Sequence, residues 1–489
     1  MIYYLRGDSM LELNKSSNVP LYRQVMHQMI EKINQGTYAP ATRLPSERQL
    51  ARELGVNRST VVRAYDELYA LAFVERREGS GTYVRLPENL KNSYAQRQPA
   101  QLLSTINQQN SDYTTYDDIK LYLQSHDEVI DTFTGELPST LVPNLTLPPF
   151  HWQDFLQQPV ESFGSESLRQ GISSLMKNAY GYRPDVKELL LTAGGQQSLY
   201  LLLQTLLKPG DVVAIESPSF FRGLSILKTM SLKVIEIPVD DEGMVVEKLA
   251  EEWQHHSIRL VITNPNFQNP TGTTLTKKRR LALLKLCQKY RVPLIEDDVF
   301  GLLSFDTAQQ VPLLKQMAPE MVIYLGSLSK ILGQRVQLGW IDAPVGLLEQ
   351  VVRLRDSAES QLSIFPQVLA SHALNQPSFY NQLLMTKQQL QKQCALLEEA
   401  FEEIGEDWKV FWPRGGYYVW LTYQGRVLTK EDWDVLLSFG VAVLPSYLIE
   451  TSTQSCRMNF ARIQVEELPT LIKAFRDTTR LWRKEKTRQ

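Results

Sequence analysis

The chain has 489 residues, 43% hydrophobic and 22% charged, enough for roughly two to four domains around sizeable cores. Its 52 basic and 54 acidic side chains leave a net charge of −2, which excludes a global field gathering nucleic acid, so any such site must be local. Cys287, Cys394 and Cys456 lack metal-ligand spacing and their odd number fits a reducing compartment. Met1–Arg6 carries no signal-peptide core and no run approaches a membrane span, so a cytoplasmic protein without a metal site is expected.

Near the start, Leu21, Val25, Met29 and Ile33 recur at helical spacing and predict an amphipathic helix ending at Gln35-Gly36. Ser46 is a good N-cap for a second helix whose buried stripe is Leu50, Ala51 and Leu54. After a turn at Gly55-Val56, Asn57 caps a third helix, with Val61, Ala64, Tyr65 and Leu68 facing inward. Its other face shows Arg58, Ser59, Thr60 and Arg63, side chains that donate to phosphates and base edges. Phe73–Arg77 and Thr82–Arg85 alternate like a hairpin across Glu78-Gly79-Ser80-Gly81. Three helices and a hairpin make an α+β winged helix-turn-helix. Residues 41–85 carry eight arginines against six acids, only +2, so charge alone does not separate a DNA-binding domain from a small interaction domain.

The pattern does separate them. Leu44-Pro45-Ser46-Glu47-Arg48, Asn57-Arg58-Ser59-Thr60-Val61 and Gly79-Ser80-Gly81-Thr82 resemble the motifs of the GntR-type DNA-binding domain in order and spacing. The resemblance assigns residues 11–86 to this domain. It implies a double-stranded DNA operator contacted through Arg43, Ser46, Arg48, Arg58, Ser59, Thr60 and Arg63, with the wing glycines Gly79 and Gly81 close to the backbone. Val62 stands where some relatives place a DNA-contacting arginine, a role that neighbouring Arg63 can take over.

Residues 87–118 are rich in Gln, Ser and Asn and read as a flexible tether. From 119 to 489, strand-like runs at 188–192, 212–216, 234–237, 260–263, 294–297 and 322–326 alternate with helical patterns such as 196–207 and 277–289. This predicts an α/β domain with a mainly parallel sheet. Ligands in such sheets sit past the carboxyl ends of the strands, and the candidate ligand groups fall there. Ala193-Gly194-Gly195-Gln196 opens a helix whose N-terminus favours an anion. Phe220 offers a ring to stack, Asn269 an amide, and Asp297 a carboxylate. Ser327-Leu328-Ser329-Lys330 puts a lysine in a small-residue loop after a buried strand, and Arg457 sits in a strand-like run, suited to clamping a carboxylate. A lysine able to form a Schiff base, with a carboxylate for a pyridinium nitrogen, is the minimal kit for pyridoxal 5'-phosphate (PLP).

This order resembles the fold-type I aminotransferases. The resemblance implies Lys330 as the Schiff-base lysine, Asp297 on the pyridine nitrogen, Asn269 at the ring hydroxyl and Phe220 on the ring face. It further implies Gly195, Gln196 and Ser327 at the phosphate and Arg457 at an effector carboxylate. With its GntR-type head, the whole chain resembles the MocR/GabR family of transcriptional regulators. That family joins the two modules by a linker and, in known cases, forms a head-to-tail homodimer. The implied function is a DNA-binding regulator that senses PLP or its aldimine with an amine or amino acid.

The chain departs from the family at three places. Phe300 replaces a tyrosine that bonds the cofactor hydroxyl, so no phenol is available there. Phe163-Gly164 replaces Tyr-Gly, and Gln337 replaces a phosphate-binding arginine, with Arg335 two residues earlier. A charge-assisted contact to phosphate is worth roughly 1.5–3 kcal/mol, so weakened cofactor binding and inefficient transamination are expected. The rival readings are a working aminotransferase with an accessory head, and a regulator whose larger domain only dimerises.

Overall fold

The computed structural model describes residues 13, 19–34, 38, 42–71, 73–77, 80–85, 111–146, 149–159, 161–306, 311–358 and 361–485. The chain divides into two units, residues 1–111 and 112–489.

In the first unit, α1 (Leu21–Asn34), α2 (Glu47–Leu54) and α3 (Arg58–Ala70) precede a hairpin of β1 (Val74–Arg77) and β2 (Gly81–Val84). Both predicted caps are present. The Ser46 hydroxyl accepts from the Gln49 N–H and the Asn57 side chain from the Ser59 N–H, satisfying orphan donors of the first turns. Gly55 ends α2 in the left-handed region, at φ 61°. Val25, Met29, Leu50, Val61, Ala64, Tyr65 and Leu68 close one core. The Tyr65 hydroxyl donates to the Pro45 carbonyl at 2.9 Å, fixing α3 against the turn before α2.

The stretch expected to be a tether behaves otherwise at its end. A helix, α4, spans Ser111–Ser125 and takes in residues 111–118. The reason lies in Ile119, Tyr122 and Leu123, spaced to pack together on Val129, Phe133, Ala442, Leu444 and Ile449. Residues 87–110 of that stretch lie outside the described residues.

The second unit is built on an eight-stranded sheet. Its strands are β4 (Leu189–Thr192), β5 (Val212–Ser217), β6 (Lys233–Asp240), β7 (Gly243–Met244), β8 (Ile258–Thr263), β9 (Leu294–Asp297), β10 (Val322–Ser327) and β11 (Gly339–Asp342), in the order β4-β11-β10-β9-β8-β5-β6-β7. All six strands read from the sequence are there. The sheet is parallel through β10-β9-β8-β5-β6, with β11 antiparallel between β10 and β4 and β7 antiparallel at the edge. β11 follows directly on the lysine loop and its tight return needs small residues. A Cβ on Gly326 would fall on the Trp340 ring, and one on Gly339 would fall 2.8 Å from the Gly194 carbonyl carbon. β4, β5, β8 and β10 are buried over almost their whole length, as two-sided cover by helices requires. A second, four-stranded antiparallel sheet follows: β12 (Trp408–Phe411), β13 (Tyr418–Tyr423), β15 (Leu444–Pro445) and β16 (Ser455–Asn459), in the order β12-β13-β16-β15. Two short strands outside it, β3 (Ile130–Asp131) and β14 (Val441–Ala442), pair in parallel. Among the described residues no helix is long and apolar enough to cross a membrane.

Candidate functional site

Period-two alternation sorts three consecutive acids at the end of β9. Glu296 is fully buried. It accepts from the Leu314 and Lys315 N–H groups at 2.9 and 2.7 Å and faces Arg280 at 3.5 Å. Asp298 is also buried, accepting from Tyr180, Tyr324 and Asn266 at 2.7, 3.0 and 2.7 Å. Asp297, between them, points the opposite way and lines a cavity of about 700 Å³. One of its oxygens, Oδ1, is buried without a hydrogen-bond partner. Desolvation, with the neighbouring Asp298 charge, pushes its carboxyl up to about 7.

The same cavity is lined by Gly195, Gln196, Phe220, Asn269, Ser327, Lys330 and Arg457. Every cofactor and effector residue singled out in the sequence therefore meets at one place, at the carboxyl ends of β4, β5, β8, β9 and β10. The loops are tied to each other. Asn264 donates its amide to the Asp297 carbonyl and accepts from the Asn269 N–H at 2.8 Å, while the Phe220 N–H donates to the Asn269 carbonyl at 3.1 Å. The helix Gly195–Leu206 starts after Gly194, at φ 92°, where a side chain would be strained. Ser327 Oγ accepts from the Ser329 N–H at 3.1 Å, shaping the turn into Lys330.

Lys330 Nζ donates to the Gly135 carbonyl at 3.2 Å and lies 5.3 and 5.9 Å from the ring centres of Phe300 and Tyr417. The Tyr417 and Tyr418 hydroxyls donate to the same carbonyl at 3.4 and 2.9 Å. Arg457 stacks over Tyr418, its guanidinium carbon 4.1 Å from the ring centre. It donates to the Phe133 carbonyl at 2.7 Å and to Asn269 Oδ1 at 3.3 Å, while its buried Nε has no partner.

The three departures fall differently. Phe300 and Gln337 line the cavity, Gln337 in the left-handed region at φ 44°. Phe163 does not reach it and packs against the core under β4 and β5, so this position removes no contact from the cavity of its own chain. Nor is the cavity short of phenols, since Tyr116, Tyr418 and Tyr447 line it. Sequence reasoning missed these three, because no spacing joins α4, β13 and the loop after β15. It also missed Arg222 and Lys228 on the wall; Arg222 pairs with Glu236 at 3.2 Å.

In the first unit, Arg43, Ser46, Arg48, Arg58, Ser59, Arg63 and Gly81 are exposed and Thr60 is half-buried. Gly79 lies outside the described residues. Arg58 pairs with Glu47 at 3.1 Å across the turn between α2 and α3. The Ser59 hydroxyl donates to Asn57 at 3.0 Å. Arg63 lies over the Tyr22 ring of α1, 4.0 Å from its centre, with its side chain exposed. Residues 42–44 pair with β2, and a Cβ on Gly81 would meet the Arg43 side chain at 3.0 Å, so this wing glycine and Arg43 are packed together.

The bacterial regulatory proteins, gntR family, match at residues 21–84, and aminotransferase class I and II matches at residues 157–475. The chain therefore belongs to the aminotransferase class I and II family and carries a gntR-type head, the arrangement of MocR-type transcriptional regulators. Among similar proteins is YisV of Bacillus subtilis, an uncharacterised HTH-type transcriptional regulator, 29% identical over 96% of this chain and 97% of its own length. Another is the HTH-type transcriptional regulator NorG of Staphylococcus aureus, 25% identical over 86% of this chain and 95% of its own. Among solved structures, the multiple substrate aminotransferase of Thermococcus profundus shares the fold of the larger unit. Its TM-score is 0.68 at 24% identity, over 75% of this chain and 94% of that one. The kynurenine aminotransferase of Pyrococcus horikoshii gives a TM-score of 0.67 at 25% identity, over 74% of this chain and 93% of that one. The chain is a transcriptional regulator with a DNA-binding head and an aminotransferase fold.

Proposed function

We propose that this regulator binds PLP in the cavity through Lys330 and responds there to an amine or amino acid by changing its hold on operator DNA. The observation that carries the reading is the unpartnered, buried Oδ1 of Asp297, in one cavity with Lys330 and the other predicted ligands. A buried carboxylate oxygen with no partner is costly unless something completes it, and a protonated pyridine nitrogen does so. The residues fit the group: Lys330 would hold its aldehyde carbon, Asp297 its nitrogen, Asn269 its hydroxyl and Phe220 its ring face. Gly195, Gln196 and Ser327 would hold its phosphate at a helix N-terminus. When bound, PLP supplies an aldehyde that exchanges amines. Arg457, with its free Nε, holds the carboxylate of an amino-acid effector. Gln337 brings no charge to the phosphate, so the cofactor exchanges with solution rather than staying permanently. The protein acts in the cytoplasm as a homodimer, whose two heads read two half-sites of a double-stranded operator. The first unit is the DNA-binding head and the second, which begins at Asp112 and includes α4, is the effector unit.

The test is operator binding by the purified protein with PLP present or absent and with a panel of amines. An amine that shifts the visible absorption of the loaded protein and alters DNA affinity supports the reading. Keto-acid production at several turnovers per second favours the enzyme reading instead. A protein that never takes up added PLP leaves a larger unit that only dimerises.

Two expected results arise here. Arg58→Ala should weaken operator binding by about 1–3 kcal/mol, because the side chain stands exposed at the start of α3. Fluorescence anisotropy across a salt series checks it, and an unchanged, salt-insensitive affinity counts against the assigned face. The second concerns pH. Burial holds Asp297 at about 7 in the cofactor-free protein, and a cationic partner at Oδ1 lowers it. The affinity this adds is complete above about pH 7 and declines below it, towards roughly tenfold per unit. Titrating PLP into the cofactor-free protein across neutrality measures the slope, and Asp297→Asn should flatten it.

A further inference from the structure

We infer that the effector carries an apolar side chain and that Tyr116 of α4 closes over it, so that the helix leading out of the DNA-binding unit reads the occupancy of the cavity. This rests on the cavity being the amine site.

Tyr116 lines the cavity and its ring packs at a tilt against Phe133, centre to centre 4.7 Å. It is nevertheless 41% exposed, so a ligand beside it has aromatic surface left to cover. Further along α4, Ile119, Tyr122 and Leu123 pack on the cluster that contains Leu444 and Ile449, with Leu448 at its edge. Those three residues are themselves cavity wall. The helix therefore sits on the outer side of the surface whose inner side the effector meets.

The carboxylate clamp is joined to the same place. Arg457 donates to the carbonyl of Phe133, the residue against which the Tyr116 ring packs. Ring and apolar wall thus touch α4 directly, and the clamp reaches it through Phe133. The chemistry of this wall sets the effector class. Tyr116, Leu444, Leu448 and Ile449, the part of the wall joined to α4, favour an aromatic or branched aliphatic side chain; of the charged residues on the wall, Glu136 faces the Gln334 amide and Arg222 pairs with Glu236 at 3.2 Å. α4 begins at Ser111, the last residue of the DNA-binding unit. Displacing α4 moves the attachment point of the chain that leads to that unit. A ligand bound differently by two placements of α4 shifts the balance between them.

The test uses the full-length, PLP-loaded protein, a duplex selected by it from a random pool, and L-phenylalanine, L-leucine, L-aspartate and L-lysine as probes. L-Phenylalanine or L-leucine should perturb the visible band at lower concentration than L-aspartate or L-lysine, and should change DNA affinity by roughly fivefold or more. Tyr116→Ala should need more effector and, once the band shows saturation, leave DNA affinity unmoved, whereas Tyr116→Phe should respond. Ile119→Ala, a residue off the cavity wall, should keep the concentration dependence of the band and lose much of the DNA response. That split would not follow if α4 were only structural. A full DNA response in both Tyr116→Ala and Ile119→Ala overturns the inference while the amine-site reading stands, and so does a preference for L-aspartate or L-lysine. If PLP binds but no amino acid perturbs the wild-type band, the amine-site reading fails and the inference fails with it.

Discussion

Lys330→Ala is expected to abolish the visible absorption band of the PLP-treated protein and to leave nothing at that position for borohydride to fix. The Lys330 ammonium is held by the Gly135 carbonyl and by the faces of Phe300 and Tyr417. These contacts aim Nζ into the cavity rather than tie it into the core. Its removal leaves Gly135 with the Tyr417 and Tyr418 hydroxyls. The fold should therefore lose no more than about 1 kcal/mol, while covalent cofactor attachment is lost altogether. Absorption spectra before and after borohydride, with peptide mapping of the wild type, check this. A band persisting in Lys330→Ala would place the attachment at another amine, and Lys228 on the cavity wall would then be the candidate.

Arg280→Ala should be strongly destabilising, costing about 3–5 kcal/mol. The guanidinium is completely buried. It donates to the carbonyls of Leu275, Pro312 and Pro265 and to Asn266 Oδ1, and it faces Glu296 at 3.5 Å. Alanine would leave Glu296, itself fully buried and pushed up to about 7 even with the arginine present, without its countercharge. Asn266 would lose the acceptor contact that orients its amide towards Asp298. Both acids flank Asp297, so cofactor affinity should fall along with stability. Urea unfolding measures the first effect and PLP titration the second. Glu296→Gln in the Arg280→Ala background should restore part of the stability by removing the stranded charge. A variant unfolding at the wild-type urea midpoint would show that this buried pair does not support the end of β9.

The sequence determined the order of elements in both units. The caps at Ser46 and Asn57, the inward stripe of α3 and the six strands of the central sheet are local. Each depends on side chains within a few residues and on the two repeat lengths of helix and strand. The candidate site residues were legible for the same reason, since in a parallel sheet a strand's carboxyl end is a fixed place. What only the tertiary structure decided is which groups from distant elements share that place. β11 enters between β4 and β10 because glycines at 326 and 339 admit Trp340 and the Gly194 backbone. α4 abandons the expected tether because its apolar side meets Ala442 and Leu444, more than 300 residues further along the chain. Phenols reach the cavity from Tyr116, Tyr418 and Tyr447, although Phe300 supplies none, because cavity walls form by packing and packing has no sequence period. Of the three adjacent acids at the end of β9, burial and partners leave Asp297 alone with an oxygen unused.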